Sequence, residues 1–168
     1  MINHNDTLGL SGFTAPGTPK AVTEAVAMRA VKEHEAGREF KINLFSGAST
    51  NRHVDTILSD NQALNFRAPY QNLPALRKHI NCHEVHYSDR HLSEMAQEVR
   101  YGFYGPVDYA IIEAADITPD GEILLGCGVG NVPTFAHLAK KIFIEINHKL
   151  PKSLYGMHDV VLLQDPPY

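Results

Sequence analysis

The chain carries two cysteines, Cys82 and Cys127, too few for a disulfide framework, so a reducing cytoplasm is the expected compartment. No apolar run approaches the roughly 20 residues needed to span a bilayer. The start, Met1-Ile2-Asn3-His4-Asn5-Asp6, lacks the basic-then-apolar order of a secretory signal. Positive charge is also short: 15 Lys and Arg against 19 Asp and Glu leave a formal net charge of −4. That balance gives no support to nucleic-acid binding, which needs a basic face. There is no internal repeat and no low-complexity tract. Two nucleotide fingerprints are missing as well, the lysine-bearing G-x-x-x-x-G-K-[ST] turn and G-x-G-x-x-G. Gly126-x-Gly128-x-Gly130 does not have the latter spacing. Their absence weakens a nucleotide-binding or phosphosugar isomerase-like reading.

What is present fits one soluble domain: 168 residues, 43% hydrophobic and 20% charged. Three apolar runs end in glycine turns with small hydroxyl or amide residues, each followed by a helix-compatible stretch. They are Leu8-Gly9-Leu10-Ser11-Gly12-Phe13-Thr14-Ala15-Pro16-Gly17, Ile42-Asn43-Leu44-Phe45-Ser46-Gly47-Ala48-Ser49-Thr50 and Ile123-Leu124-Leu125-Gly126-Cys127-Gly128-Val129-Gly130-Asn131-Val132-Pro133. Strand, tight turn and helix form the unit of an open α/β sheet, which binds ligands outside the carboxyl ends of its strands. Glycine lets N–H groups approach an anion, and a helix N-terminus adds a favourable dipole. The three turns therefore predict a carboxylate- or phosphate-lined crevice.

Along the chain, strands are predicted over residues 7–11, 41–45, 65–68 (broken by Pro69), 107–114, 122–125 and 141–146. Helices are predicted from Pro19 to the stop at Gly37, and over 54–58, 73–81, 92–101 and 132–140. Thr118-Pro119-Asp120-Gly121 is a turn signature that joins strands 107–114 and 122–125 as a hairpin. The alternation predicts an α/β fold: an open, largely parallel sheet with helices on both faces. The chain enters a core strand within a few residues and stops at Gln164-Asp165-Pro166-Pro167-Tyr168. It therefore reads as a single domain, 1–168, of a longer two-domain protein, with 151–168 starting an interdomain linker.

Ser11-Gly12-Phe13-Thr14 with Gly17-x-Pro19-Lys20, then Gly47-Ala48-Ser49-Thr50, Phe66-Arg67-x-Pro69, and Gly130-Asn131 after a strand resemble the acetyl-CoA hydrolase/transferase family. The similarity is to the N-terminal domain of the succinyl-CoA:acetate or 4-hydroxybutyrate CoA-transferase type, and it runs in order from about Leu8 to about Asp165. The resemblance implies a CoA-transferase-like fold and two tandem domains with the active site between them. It also implies that CoA is a substrate, held mainly by the second domain, and that no metal takes part. In such enzymes a glutamate attacks the acyl-CoA thioester to give an acyl-glutamyl anhydride. The released thiolate then forms a glutamyl-CoA thioester, which an acceptor carboxylate opens. That glutamate belongs to the second domain, so no catalytic residue is expected in this chain, and the chain alone is expected to be inactive.

The residues expected to touch substrate are Ser49, Asn72, Thr14, Gly12, Phe13 and Asn131. Ser49 is the leading one: its hydroxyl either caps the next helix or bonds an acyl oxygen, and the resemblance favours the second. Thr14 with the 12–17 backbone forms another wall, unless its hydroxyl serves only its own loop. Asn72 falls where related enzymes carry a threonine in the carboxylate pocket, and an amide there brings donors as well as an acceptor. Asn131 either faces the cleft or caps the helix beginning near Val132. Arg67 suits a carboxylate, with a structural salt bridge the stronger alternative. Glu113 reads as a paired or solvated carboxylate at a strand end.

His79, His83, His86 and His91 cluster around Cys82, and the i, i+4 pair has zinc-compatible spacing. No converging ligand motif accompanies it, so no metal site is expected. Tyr87-x-Asp89-x-His91-Leu92 resembles the family as supporting structure around the site. Cys127 reads as a buried small residue. The expected partners are the C-terminal domain, acyl-CoA, small carboxylates and a second copy in a homodimer. An apolar patch is expected near the strand carboxyl ends. An acetyl-CoA hydrolase and a non-catalytic ligand-binding domain of the same fold are the alternative readings.

Overall fold

The computed structural model describes residues 1–48, 51–161 and 164–165. Its centre is the strand β5 (Tyr109–Ile117), whose run Ala110-Ile111-Ile112 is buried on both faces. Such a continuous apolar run belongs to a parallel strand covered by helices on both sides. The other strands are β1 (Thr7–Leu10), β2 (Ile42–Ala48), β3 (Leu64–Tyr70), β4 (His86–Tyr87), β6 (Ile123–Leu125) and β7 (Lys141–Ile146). Together they form a seven-stranded sheet of order β4-β3-β2-β1-β5-β6, with β7 pairing β5. Every pairing is parallel except β5 with β6. Tyr109 pairs with both Leu8 and Lys141, and Ala114 with both Leu125 and Ile146. β1 and β6 therefore share one edge of β5, and β7 takes the other.

Two cores flank the sheet. On one face Leu8, Leu10, Ile42, Leu44 and Ile111 meet α1 (Ala21–Glu35), α2 (Ile57–Asp60) and α3 (Pro74–Asn81) through Val26, Ala30, Leu58 and Leu76. On the other, Phe45, Ala68, Ala110 and Ile112 meet α4 (Leu92–Arg100) and α5 (Val132–Leu138) through Met95, Val99 and Phe135. The alternation of strand side chains between faces decides which core each residue enters. The α/β sheet with helices on both faces is therefore as the sequence implies. The hairpin at 118–121 and strand β7 also fall where the sequence places them.

Three local features differ from expectation. Pro69 does not break its strand: β3 continues to Tyr70 through a cis Ala68–Pro69 bond. β4 pairs only Phe66 and Arg67, and the β2 ladder bulges between Ala68 and Tyr70, so the N–H that proline lacks is not required. The helix expected over 54–58 opens instead as a π-helical turn, Arg52–Thr56, running into α2. β4 itself, two residues long, was not expected. Beyond β7, Lys152 pairs with Asp116 (2.6 Å), and Asp165 takes Arg100 Nη2 (2.7 Å) and His137 Nε2 (3.1 Å), which holds this segment against the domain.

Candidate functional site

The chain steps outward from β1 to β4 and then returns to β5 beside β1, so the strand order reverses between β1 and β5. An open α/β sheet leaves its ligand crevice outside the carboxyl ends at such a reversal. The three glycine turns meet there. A Cβ on Gly47 would stand 2.5 Å from the Gly12 carbonyl oxygen, and one on Gly128 would strike the Pro16 carbonyl oxygen and lie 2.9 Å from the Phe13 nitrogen. Backbone packs directly on backbone, which only glycine permits. The loop 12–18 is thereby held between the end of β2 and the turn that precedes α5.

Hydrogen bonds knit the same three segments. Thr14 N–H donates to Ala48 O (2.8 Å), and Asn51 Nδ2 to Ala15 O (3.4 Å). Ser11 Oγ donates to Gly17 O (2.5 Å) and accepts from Glu113 N–H (2.8 Å), closing the base of the loop onto β5. The buried Asn131 does not cap α5 with its side chain: its backbone carbonyl accepts from Thr134 and Phe135 (3.1 and 3.2 Å), while its amide donates to Ser46 O (3.3 Å). Phe13 and Thr14 are exposed at the rim. Thr14 has φ 56°, an outlier for a β-branched residue. Ser49 and Thr50 lie outside the described residues.

The first glycine turn was expected to offer a helix N-terminus to an anion. The structure corrects this, because Glu145 already occupies that end of α1. Its Oε2 accepts from Lys20 N–H (2.8 Å) and Ala21 N–H (3.1 Å), and its Oε1 from Val22 N–H (2.6 Å). These are N–H groups a helix cannot satisfy internally. In the sheet Glu145 stands beside Glu113. The buried Glu113 carboxylate receives Asn147 Nδ2 and lies 3.6 Å from Lys20 Nζ. Glu113 is thus a paired carboxylate, in the middle of β5 and not at the strand end expected, because the strand runs on to Ile117.

Arg67 is fully buried, its Nε donating to the equally buried Asp55 (2.9 Å), Nη1 to Ala68 O and Nη2 to Tyr70 O (3.1 Å). It serves the end of β3 and the π-helical turn, as a structural salt bridge would. Past β3, Asn72 is exposed, and its carbonyl accepts from Arg77 Nη2 (3.3 Å). The hydrogen bonds that join the glycine turns do not reach Asn72 among the described residues. A cleft of about 470 Å³ lies between Ala48, Tyr70, Arg90 and His91. Beside it, burial pushes the Tyr87 phenol above its ordinary 10.0, and the charge of Asp89 adds to the rise. His79 sits between Glu84 (2.5 Å) and Asp60 (3.7 Å) at the opposite end of the sheet. Cys127 is exposed, not buried as expected, because its neighbours Gly126 and Gly128 are the buried positions of the loop, close against Leu150 and Pro16 O. Exposed Phe13 and Tyr70 put apolar surface at the strand carboxyl ends.

Glu145 and Asn51 escaped the sequence reading. Lys20 opens α1 with no local side-chain cap, and an uncapped 15-residue helix is the signal that a distant acceptor is needed. Glu145 is likewise the lone carboxylate in the apolar strand Lys-Ile-Phe-Ile-Glu-Ile. Asn51 is an Asx residue at a helix start, and its Oδ1 accepts from His53 N–H (2.9 Å).

The fold has counterparts among known proteins. The fold resembles that of RipA from Yersinia pestis, with TM-score 0.69 at 16% identity over 90% of this chain and 35% of that one. It also resembles glutaconate coenzyme A-transferase from Acidaminococcus fermentans, with TM-score 0.63 at 15% identity over 86% of this chain and 64% of that one. In sequence the chain is 46% identical to propanoyl-CoA:succinate CoA transferase of Escherichia coli, over 99% of this chain and 34% of that protein. It is 40% identical to succinyl-CoA:acetate CoA-transferase of Clostridium kluyveri (99% and 30%) and 37% identical to acetyl-CoA hydrolase of Yarrowia lipolytica (98% and 32%). The chain spans about a third of the length of these curated relatives. The profile of the acetyl-CoA hydrolase/transferase N-terminal domain matches residues 1–166, and the chain belongs to that family.

Proposed function

We propose that this chain is the N-terminal domain of a CoA-transferase that moves CoA between a short-chain acyl-CoA and a carboxylic acid such as acetate, succinate or 4-hydroxybutyrate. The observation that carries the reading is the 46% identity to a CoA transferase over 99% of the chain, confined to 34% of the relative's length. In this reading a glutamate of the following domain becomes first an acyl anhydride and then a glutamyl-CoA thioester. The chain itself supplies one wall of the acyl and carboxylate pocket: Gly12, Phe13 and Thr14 on the first turn, Ser49 after β2, Asn72 after β3, and Asn131. The Ser49 and Thr14 hydroxyls and the Asn72 amide serve as donors to an oxyanion; Phe13 N–H and Thr14 N–H already donate to Pro16 O and Ala48 O. CoA is bound as a substrate, mainly by the second domain, without a metal. The segment 151–168 leads into the linker, and the protein works as a cytoplasmic homodimer. No described helix is long and apolar enough to cross a membrane.

An acetyl-CoA hydrolase, in which water replaces the acceptor acid, is the second reading; the higher identities to transferases favour transfer. The test follows CoA exchange between succinyl-CoA and acetate, propionate or 4-hydroxybutyrate, using the 168-residue chain and the full-length polypeptide that carries it. The expected result is transfer by the full-length protein only, with Ser49→Ala raising KM for the acceptor. Turnover by the chain alone overturns the assignment of the nucleophile to another domain. Thioester hydrolysis indifferent to added acid overturns transfer. Neither transfer nor hydrolysis by the full-length protein leaves a non-catalytic binding domain.

A further inference from the structure

We infer that Glu145 is a positioning residue for the loop 12–18, acting from the far end of the chain on the substrate wall. The inference rests on the function proposed above. Three observations carry it. First, α1 begins directly after that loop and has no side-chain cap of its own, so the position of its first turn depends on whatever satisfies its N–H groups. Second, the Glu145 carboxylate takes three of them, from Lys20, Ala21 and Val22, at 2.6 to 3.1 Å. Charge-assisted bonds of this kind are the stronger class, and a carboxylate also complements the helix dipole. Third, the same strand pair fixes the loop's other end. Glu145 is in register with Glu113, whose N–H holds Ser11 Oγ, which in turn holds Gly17 O.

The two adjacent carboxylates do not simply repel, because Lys20 lies between them. Its N–H donates to Glu145, while its ammonium stands 3.6 Å from Glu113 and donates to Thr18 O (3.2 Å). Both ends of the loop that presents Phe13 and Thr14 are thus tied to the β5–β7 pair. Loss of the Glu145 charge frees the C-terminal end of the loop while leaving both hydrophobic cores untouched. In Glu145→Gln one oxygen can still accept, but the amide NH2 faces N–H groups that it cannot satisfy. Glu145→Asp keeps the carboxylate.

The test combines hydrogen exchange with steady-state kinetics of CoA transfer, both on the full-length protein. Glu145→Gln is expected to speed exchange of amides 12–22 about tenfold, the size of a lost helix cap, with the rest of the sheet unchanged. In the kinetics it raises KM for the acceptor acid by a similar factor while kcat stays within about twofold, since no reacting group has been altered. Glu145→Asp is expected to restore most of both. Unchanged exchange in 12–22, acceleration spread evenly over the chain, a fall in kcat at constant KM, or an Asp variant no better than Gln each overturns the inference. If the wild-type full-length protein transfers no CoA, the functional reading fails, and the exchange data still decide whether Glu145 holds the loop.

Discussion

Arg67 Nε and Asp55 Oδ1 meet at 2.9 Å with both side chains wholly excluded from solvent. The pair joins the end of β3 to the π-helical turn that follows β2, so two walls of the candidate pocket share one buried link. Removing one partner leaves a buried charge uncompensated, which costs roughly 3–5 kcal/mol. Arg67→Ala and Asp55→Ala are each expected to lower the urea midpoint accordingly. The double variant Arg67→Ala/Asp55→Ala is expected to cost less than the sum of the two, which a double-mutant cycle reads directly.

Gly47→Ala places a methyl 2.5 Å from the Gly12 carbonyl oxygen, a backbone atom that cannot swing aside. The loop must move, at a cost of about 1–3 kcal/mol. Denaturation should show that loss, and KM for the acceptor acid should rise in the full-length protein. A Gly47→Ala protein as stable and as active as wild type would show that the turns do not need their close approach.

Thr14 is expected to affect stability and binding with opposite signs. Its φ of 56° costs a non-glycine residue about 1–2 kcal/mol. Thr14→Gly relieves this, offset by about 0.5–1 kcal/mol of extra unfolded-state freedom. The variant is expected to be as stable as wild type or slightly more so by thermal melting, yet to bind the acceptor acid severalfold more weakly. A fall in stability together with unchanged KM would remove Thr14 from the pocket.

Asp108 is one identifiable source of acid sensitivity. Burial pushes the Asp108 carboxyl up, but hydrogen bonds from Lys140 and Thr7 N–H, with the Lys140 charge, outweigh it and hold the group below its ordinary 3.8. A carboxylate lowered in the folded state contributes stability in full above its unfolded value, and loses it as pH falls through the folded one. Unfolding midpoints measured from pH 6 down to pH 2 should therefore drop below about 3.8. Asp108→Asn keeps an acceptor for Thr7 and should flatten that part of the curve.

Much of the fold was legible because its signals are local. Ala110-Ile111-Ile112 announces a buried strand, and Thr118-Pro119-Asp120-Gly121 announces a hairpin. Features that depend on distant partners were not. Pro69 reads as a strand breaker until β4 is seen to stop at Arg67. β4 has two residues, too few to show a period. Cys127 reads as small and buried until Gly126 and Gly128 are seen to take the buried positions on either side of it. Within the site, the three glycine turns were visible as motifs. That they touch one another, and that Glu145 crosses 125 residues to cap α1 at Lys20, required the structure.

The contact among the glycine turns separates the shape of the pocket wall from its chemistry. Gly12, Gly47 and Gly128 meet through main-chain atoms, so the wall keeps its outline whatever side chains stand on the rim. Phe13 and Thr14 stand on that frame and are exposed. On the proposed reading, substitutions at Phe13 and Thr14 are expected to change which acid fits without reshaping the scaffold, whereas a single methyl on the frame is expected to disturb every substrate alike.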